Sequence, residues 1–307
     1  MKVFLILIST LLIRGFFKGP DLVIHHPKSL LDAMGPWCME HHTKSGLVRQ
    51  VLESKISMAD AEQQIINFIE KVTSSTTDKK RLILAGNSVY VDRYFLEKDM
   101  PKLNAILDRS ILDCSTLKEL IRRFNYSIYY NAPIKGGNLH RALDDIRNSI
   151  EEFRYYKINA FTEKDQTIKQ EQFPLQKDIT QYLVWINTHS SGVHCILTDG
   201  HLNIIDEIVN GKSNSELMGF LRRNQVRQAQ MVVVAGKFLG PIRAELKKIA
   251  PEFNEFCHYR SIDIDVVSIL CERFFPNTYQ CRPVTTGEDD LKNSIELLRF
   301  YRATIFK

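Results

Sequence analysis

Three side chains carry most of the chemical promise of this chain: Asp92, His140 and Asp145. His140 follows a Gly136-Gly137 loop signal, and from Leu139 the pattern turns helical, with Leu139, Ala142, Leu143, Ile146, Ile150 and Phe153 on one apolar face. His140 is therefore expected at a loop-to-helix junction and Asp145 in the first turns. Five residues apart on one continuous helix would put them about 140° apart, whereas a histidine on the entering loop can swing over a site that Asp145 helps to build. Asp92 opens another helix, just after an apolar strand that ends in Gly-Asn-Ser. Carboxylates at strand ends and helix starts suit Mg²⁺ or Mn²⁺, hard ions that prefer oxygen. Two such ions about 4 Å apart activate water and stabilise a leaving alkoxide in phosphodiester hydrolysis, with a histidine as general base. Against this stands a bland reading, since an isolated H-x4-D is common by chance and often marks only a solvated helix start.

The elements that must position these groups read as a mixed α/β pattern. Met58–Val72 is an amphipathic helix, 81–89 a strand and turn, 91–98 and 101–107 helices, and 111–113 a strand leading into a helix capped by Ser115 or Thr116. Upstream, 30–39 reads as a short helix containing Trp37, followed by a polar loop, His41–Gly46. The segment 162–180 is polar and reads as a linker. Beyond it the pattern recurs. Residues 144–157 match 289–302 and residues 85–101 match 235–251, while 111–124 match 262–275. A tandem duplication of one α/β unit follows. The second copy adds two strands flanking Ser190-Ser191-Gly192.

Length and charge are compatible with this division. A chain of 307 residues predicts two domains, and a net charge of +5 suits a nucleic-acid partner as well as a generic basic surface. The six cysteines show no zinc spacing and read as buried thiols of a reducing compartment. Residues 3–13 are apolar but too short to span a bilayer as a helix. They read either as a buried β-strand or as the apolar part of a signal peptide covering residues 1–16.

The motifs HHTKSGLV (41–48), AGNSVYVDRYFLEKDMP (85–101), LDCSTLKELIRRF (112–124) and HRALDDIRNSIEEFRYYK (140–157) together resemble the oligoribonuclease family. These are DEDDh 3′-to-5′ exonucleases with an RNase H-like fold. The resemblance covers nearly all of residues 18–161, in the family's order. It implies Asp92 and Asp145 as metal-holding catalytic carboxylates, His140 as general base, and Mg²⁺ or Mn²⁺ as cofactor. It places His42 and Trp37 at the nucleobase site and Ser88 at the terminal phosphate of a short single-stranded RNA. For these three the local alternatives are a loop donor, a core side chain and a turn residue.

The family's first motif, a D-x-E strand, has no counterpart in the first copy. Either an upstream segment supplies it, or the chain has kept fold and binding without turnover. In the second copy those positions read Asn187 and His189, Ile242 stands for Asp92, Thr285 for His140, and only Asp290 remains. That copy is expected to be a degenerate exonuclease-like domain. It keeps His258-Tyr259-Arg260, whose equivalents in the homodimeric family reach the partner's site. Tyr259 and Arg260 are therefore expected to complete the first copy's RNA pocket within an intrachain pseudo-dimer, or a homodimer; a purely structural Tyr259 is the alternative. The expected organisation is two tandem RNase H-like domains, each a mixed sheet flanked by helices. Residues 1–161 form the exonuclease domain lacking its first strand, 162–180 the linker and 181–307 the degenerate domain. The expected activity is exoribonucleolytic, with an inactive RNA-binding or scaffold protein as the alternative. No membrane partner is expected. The location is intracellular, in cytoplasm or mitochondrion, or secreted if residues 1–16 are a signal peptide.

Overall fold

The computed structural model describes residues 6–8, 19–74, 82–133, 142–162, 182–229, 232–283 and 290–307. His140, Thr285 and nearly all of the proposed linker lie outside them. Two compact units divide the chain, and they interleave along it. The first comprises 1–85, 91–109 and 135–148; the second comprises 86–90, 110–134 and 149–307.

In the first unit, β1 (Ile6–Ile8) pairs antiparallel with β2 (Ile83–Gly86), with Leu7 opposite Leu84. The strand reading of the N-terminal apolar run thus holds over these three residues. Short helices α1 (Lys28–Asp32), α2 (Pro36–Lys44) and α3 (Leu47–Glu53) follow. The loop expected from His41 is helical as far as Lys44, and the break falls at Gly46, whose φ of 75° suits a residue without Cβ. Helix α4 (Met58–Thr73) starts in a capping box: Ser57 accepts from the Asp60 N–H while Asp60 accepts from the Ser57 N–H. Its apolar face buries Ala61, Ile65, Ile66 and Ile69. On the same helix, buried Glu62 accepts from the N–H groups of Lys102 (2.7 Å) and Leu103 (3.0 Å). That carboxylate satisfies the orphan donors of α6 (Pro101–Ile106), which directly follows α5 (Tyr90–Asp99).

The second unit is built on a five-stranded mixed sheet. Its strands are β4 (Tyr182–His189), β5 (Gly192–Thr198), β6 (Ile204–Gly211), β7 (Val232–Gly236) and β8 (Ser261–Asp263), in the order β6-β5-β4-β7-β8. The first three are antiparallel; β7 and β8 are parallel to β4. Leu183, Val184, Trp185 and Ile186 of central β4 are all fully buried, the continuous apolar run of a strand covered on both faces. Trp185 buries its one polar atom by donating from Nε1 to Thr198 Oγ1 (3.1 Å). Helices α10 (Asn214–Arg223), α11 (Leu239–Ile249) and α12 (Pro251–Phe256) supply Leu217, Phe220, Leu246 and Phe253 to the core against β4, β5 and β7.

Also in this unit lie β3 (Ile111–Asp113), α7 (Cys114–Phe124), α8 (Tyr126–Tyr130) and the second half of α9 (Ala142–Asn159), with α13 (Ile264–Phe274), α14 (Pro276–Gln280) and α15 (Asp290–Thr304). The cap of α7 is Asp113, whose carboxylate accepts from the Ser115 N–H, and not Ser115 or Thr116 as the sequence predicts. Asp263 caps α13 in the same way, through the Asp265 N–H. Asp113 and Asp263, 150 residues apart, thus open their helices alike, and the element bounds in 111–124 recur at 261–274, one residue from the expected 262–275. Thr116 Oγ1 donates to Ser261 O (3.2 Å) and accepts from the Asp263 N–H (3.1 Å). Phe124 packs edge-on against Phe306, and Phe161 bridges to the same residue.

Candidate active site

Asp92 lies in the first turn of α5 and is half-buried. Burial pushes its carboxyl up to about 6, against a smaller opposing effect of a backbone hydrogen bond. A carboxylate held this far out of water gains from a cation that restores its charge balance. Its oxygens are the donors a hard divalent ion selects. Asp145 is exposed in the first turn of α9, another helix start where the dipole tolerates negative charge. These two oxygen-donor side chains fit a divalent ion by chemistry. Among the described residues, no group of three or more His, Cys, Asp and Glu is arranged to hold a metal.

Trp37 is 57% exposed, which removes the core alternative. Its ring stacks on His41, with centroids 4.1 Å apart and planes 24° apart, so one face of an aromatic pair is presented outward. His42 is in the last turn of α2, half-buried, and its carbonyl accepts from Ser45 Oγ (3.1 Å). It is a helical residue, not the loop donor that the sequence offers as its alternative.

The remaining predicted residues belong to the second unit. Ser88 has φ 52°, a left-handed turn, and its N–H is shared between Asp113 Oδ1 and Ser115 Oγ, each at 2.9 Å. Asn87 beside it donates to Ser149 Oγ (2.8 Å). Glu152, one turn further along α9, accepts from Lys118 Nζ (2.7 Å) and Tyr156 Oη (3.0 Å). Those bonds fix the second half of the helix whose first turn carries Asp145. Tyr259 is 56% exposed, stacked on His258 with the Arg260 guanidinium over its ring. Tyr90, two residues before Asp92, donates from Oη to the Tyr259 carbonyl (3.3 Å).

Arg260 itself donates from Nη1 to Glu119 Oε1 (3.0 Å), and Glu119 Oε2 accepts from Arg122 (2.8 Å) and Arg123 (2.7 Å). Sequence reasoning missed this cluster. The i,i+3 and i,i+4 spacing of Glu119 with Arg122 and Arg123 on an apolar helix was visible; the third guanidinium, 141 residues away, was not.

Residues 4–153 match the RNase_T exonuclease family, which defines the class of the first half. Among curated proteins, the probable oligoribonuclease of Dictyostelium discoideum is 46% identical over 144 residues, 47% of this chain and 72% of that protein. The probable oligoribonuclease of Drosophila melanogaster is 42% identical over 47% of this chain and 66% of its own length. The mitochondrial oligoribonuclease of Homo sapiens is 45% identical over 48% of this chain and 60% of its own length. The chain belongs to the oligoribonuclease family. It spans 60–66% of the length of the fly and human relatives. Among the described residues, no helix is long and apolar enough to cross a membrane.

Proposed function

We propose that this chain removes nucleotides from the 3′ end of short single-stranded RNAs by divalent-metal phosphodiester hydrolysis. The observation that carries the reading is Asp92, a half-buried carboxyl pushed up to about 6 by burial, inside the stretch that matches the exonuclease family. Asp92 and Asp145 hold Mg²⁺ or Mn²⁺. A divalent ion held by these carboxylates would supply Lewis-acid chemistry to a water and to the leaving oxygen. His140 accepts the water's proton on an imidazole nitrogen. Trp37 and His42 receive the terminal bases and Ser88 the terminal phosphate.

Residues 1–161 act as the exonuclease domain and 181–307 as its degenerate tandem copy, joined by 162–180. The recurrence of element bounds at an offset of 150, from β2/β7 to α8/α14, supports the duplication. Thr116 with Ser261 and Asp263, and Glu119 with Arg260, support an intrachain pseudo-dimer in which Tyr259 and Arg260 complete the RNA pocket. An intracellular location fits the reading, and three of the relatives are named as mitochondrial.

The test is Mn²⁺-dependent release of mononucleotides from a short 5′-labelled RNA by the 307-residue chain. Release that disappears in Asp92→Asn and Asp145→Asn is expected. The second reading, RNA binding without turnover, is favoured by the absence of a three-ligand acidic cluster among the described residues. Retained RNA binding with no release in Mg²⁺ or Mn²⁺ would select it.

A further inference from the structure

Lys237, Asp265 and Asp290, all in the second unit, form a charged group that the reading above leaves without a role. Lys237 Nζ lies 2.9 Å from Asp290 Oδ1 and is the more enclosed partner, its side chain 20% exposed against 50%. Asp265 sits in the first turn of α13, where its N–H donates to Asp263 Oδ1 (3.1 Å). Its Oδ2 is buried with no hydrogen-bond partner among the described residues. Burial raises its carboxyl most, Lys237 pulls the other way, and the Asp290 charge raises it further. Lys237 is thus paired with Asp290, and the buried Asp265 carboxylate senses both charges.

At the offset of 150, the places of Lys237 and Asp265 are taken by Asn87 and Ser115. There the Ser88 N–H donates to Ser115 Oγ, and Ser115 Oγ lies 3.4 Å from Asn87 Oδ1. A neutral pair at one place is thus a cation and an anion at the other. Asp290, at the offset of 145, is the counterpart of Asp145.

We propose that the Lys237 ammonium is a built-in cation, paired with Asp290 where the counterpart Asp145 holds a divalent ion in the first repeat, an assignment that rests on the tandem reading above. A tethered ammonium supplies positive charge but no open coordination position, and it carries no water to activate. The second repeat is thereby locked in a metal-free, non-hydrolytic state, and divalent-ion dependence belongs to the first repeat alone.

The experiment is thermal unfolding of the full chain in EDTA and in millimolar Mn²⁺, for the parent, Lys237→Met and Lys237→Met/Asp290→Asn. Lys237→Met is expected to melt lower in EDTA and to gain more from Mn²⁺ than the parent, with the excess gain abolished by Asp290→Asn. The first repeat's response to Mn²⁺ is common to every arm and cancels. An Mn²⁺ gain equal to the parent's, or one insensitive to Asp290→Asn, overturns the proposal. Should Lys237→Met fold neither with nor without Mn²⁺, Lys237→Arg decides: parental stability supports a fixed charge, and lost stability overturns it. No arm reads RNA release, so failure of the hydrolytic reading registers separately.

Discussion

Removing the carboxylate of Glu119 tests a heavily charged interior site of the protein. Its side chain is 0% exposed and faces three guanidiniums, of which Arg123 is 2% exposed and Arg122 and Arg260 about a fifth. Burial acts to raise the Glu119 carboxyl, yet Arg123, then Arg122, overcome it and hold the group down at about 2 against an ordinary 4.5. At about 1.4 kcal/mol per unit, that difference is worth about 3 kcal/mol to the ionised form. The Arg123 guanidinium is moved the opposite way, below its ordinary value, because burying the cation is costly. The net worth of the pair is therefore smaller than the carboxyl alone implies, but a variant that keeps the arginines suffers the full penalty of a stranded charge. Glu119→Gln is expected to lower the unfolding free energy by about 3 kcal/mol at pH 7, read from urea midpoints by circular dichroism. The folded-state value is depressed, so this stabilisation is complete above about pH 4.5 and fades as pH falls toward 2. The gap between parent and variant must narrow over that window. A gap below about 0.5 kcal/mol at pH 7, or one unchanged between pH 7 and 3, refutes the reasoning. Replacing both partners, Glu119→Leu with Arg123→Met, should cost much less than Glu119→Gln.

Asp92 has the opposite sign. Its folded value is raised to about 6, so the group favours folding at low pH and loses that contribution as pH rises through 6. Asp92→Asn should gain about 2 kcal/mol in EDTA at pH 8 and little at pH 4; equal gains at both pH values in urea titrations would refute the burial argument. A Cβ at Gly236, where φ is 156°, would stand 2.9 Å from the Ile186 carbonyl, so Gly236→Ala should lose about 2 kcal/mol or more, and a parental melting temperature would count against this packing. Phe238 is half-exposed at φ 51° and ψ 46°, so Phe238→Asn should stabilise by about 1 kcal/mol in urea unfolding, and destabilisation would show that its ring matters more than its backbone. In a Trp185→Phe background the exposed Trp37 is the remaining indole, and short RNA should quench its fluorescence; an unchanged spectrum at saturating RNA would remove Trp37 from the base site.

Local signals were readable where one chemical preference dominates. The Ser57 capping box, the apolar face of α4, the β4–β5 hairpin and the Gly-Asn-Ser turn at Ser88 all follow from spacing and residue type. Where several residues compete, the reading slipped. Asp113, Ser115 and Thr116 are all good caps, and only the backbone decides that Asp113 takes the role while Thr116 reaches Ser261. The short helix at Tyr126–Tyr130, capped by Asn125, leaves no periodic signal because five residues are too few to set one. At the candidate site, residue type exposed Asp92 and Asp145, but the half-burial that sets the charge of Asp92 is a property of the folded surroundings. Contacts that join distant parts of the chain, such as Arg260 with Glu119, leave no local mark.

The interleaving of the two compact units bears on what gene rearrangement can do to this chain. Helix α7 and the second half of α9, encoded in the first half, sit in the same unit as the sheet encoded in the second, and Thr116, Glu119 and Phe124 find partners there. A frameshift near residue 160 would therefore remove more than the second half itself. It would bare Glu119 and Phe124 on a surviving helix, with an aggregation-prone apolar face in place of a covered one. Purifying selection can hold the second half in place for this reason alone.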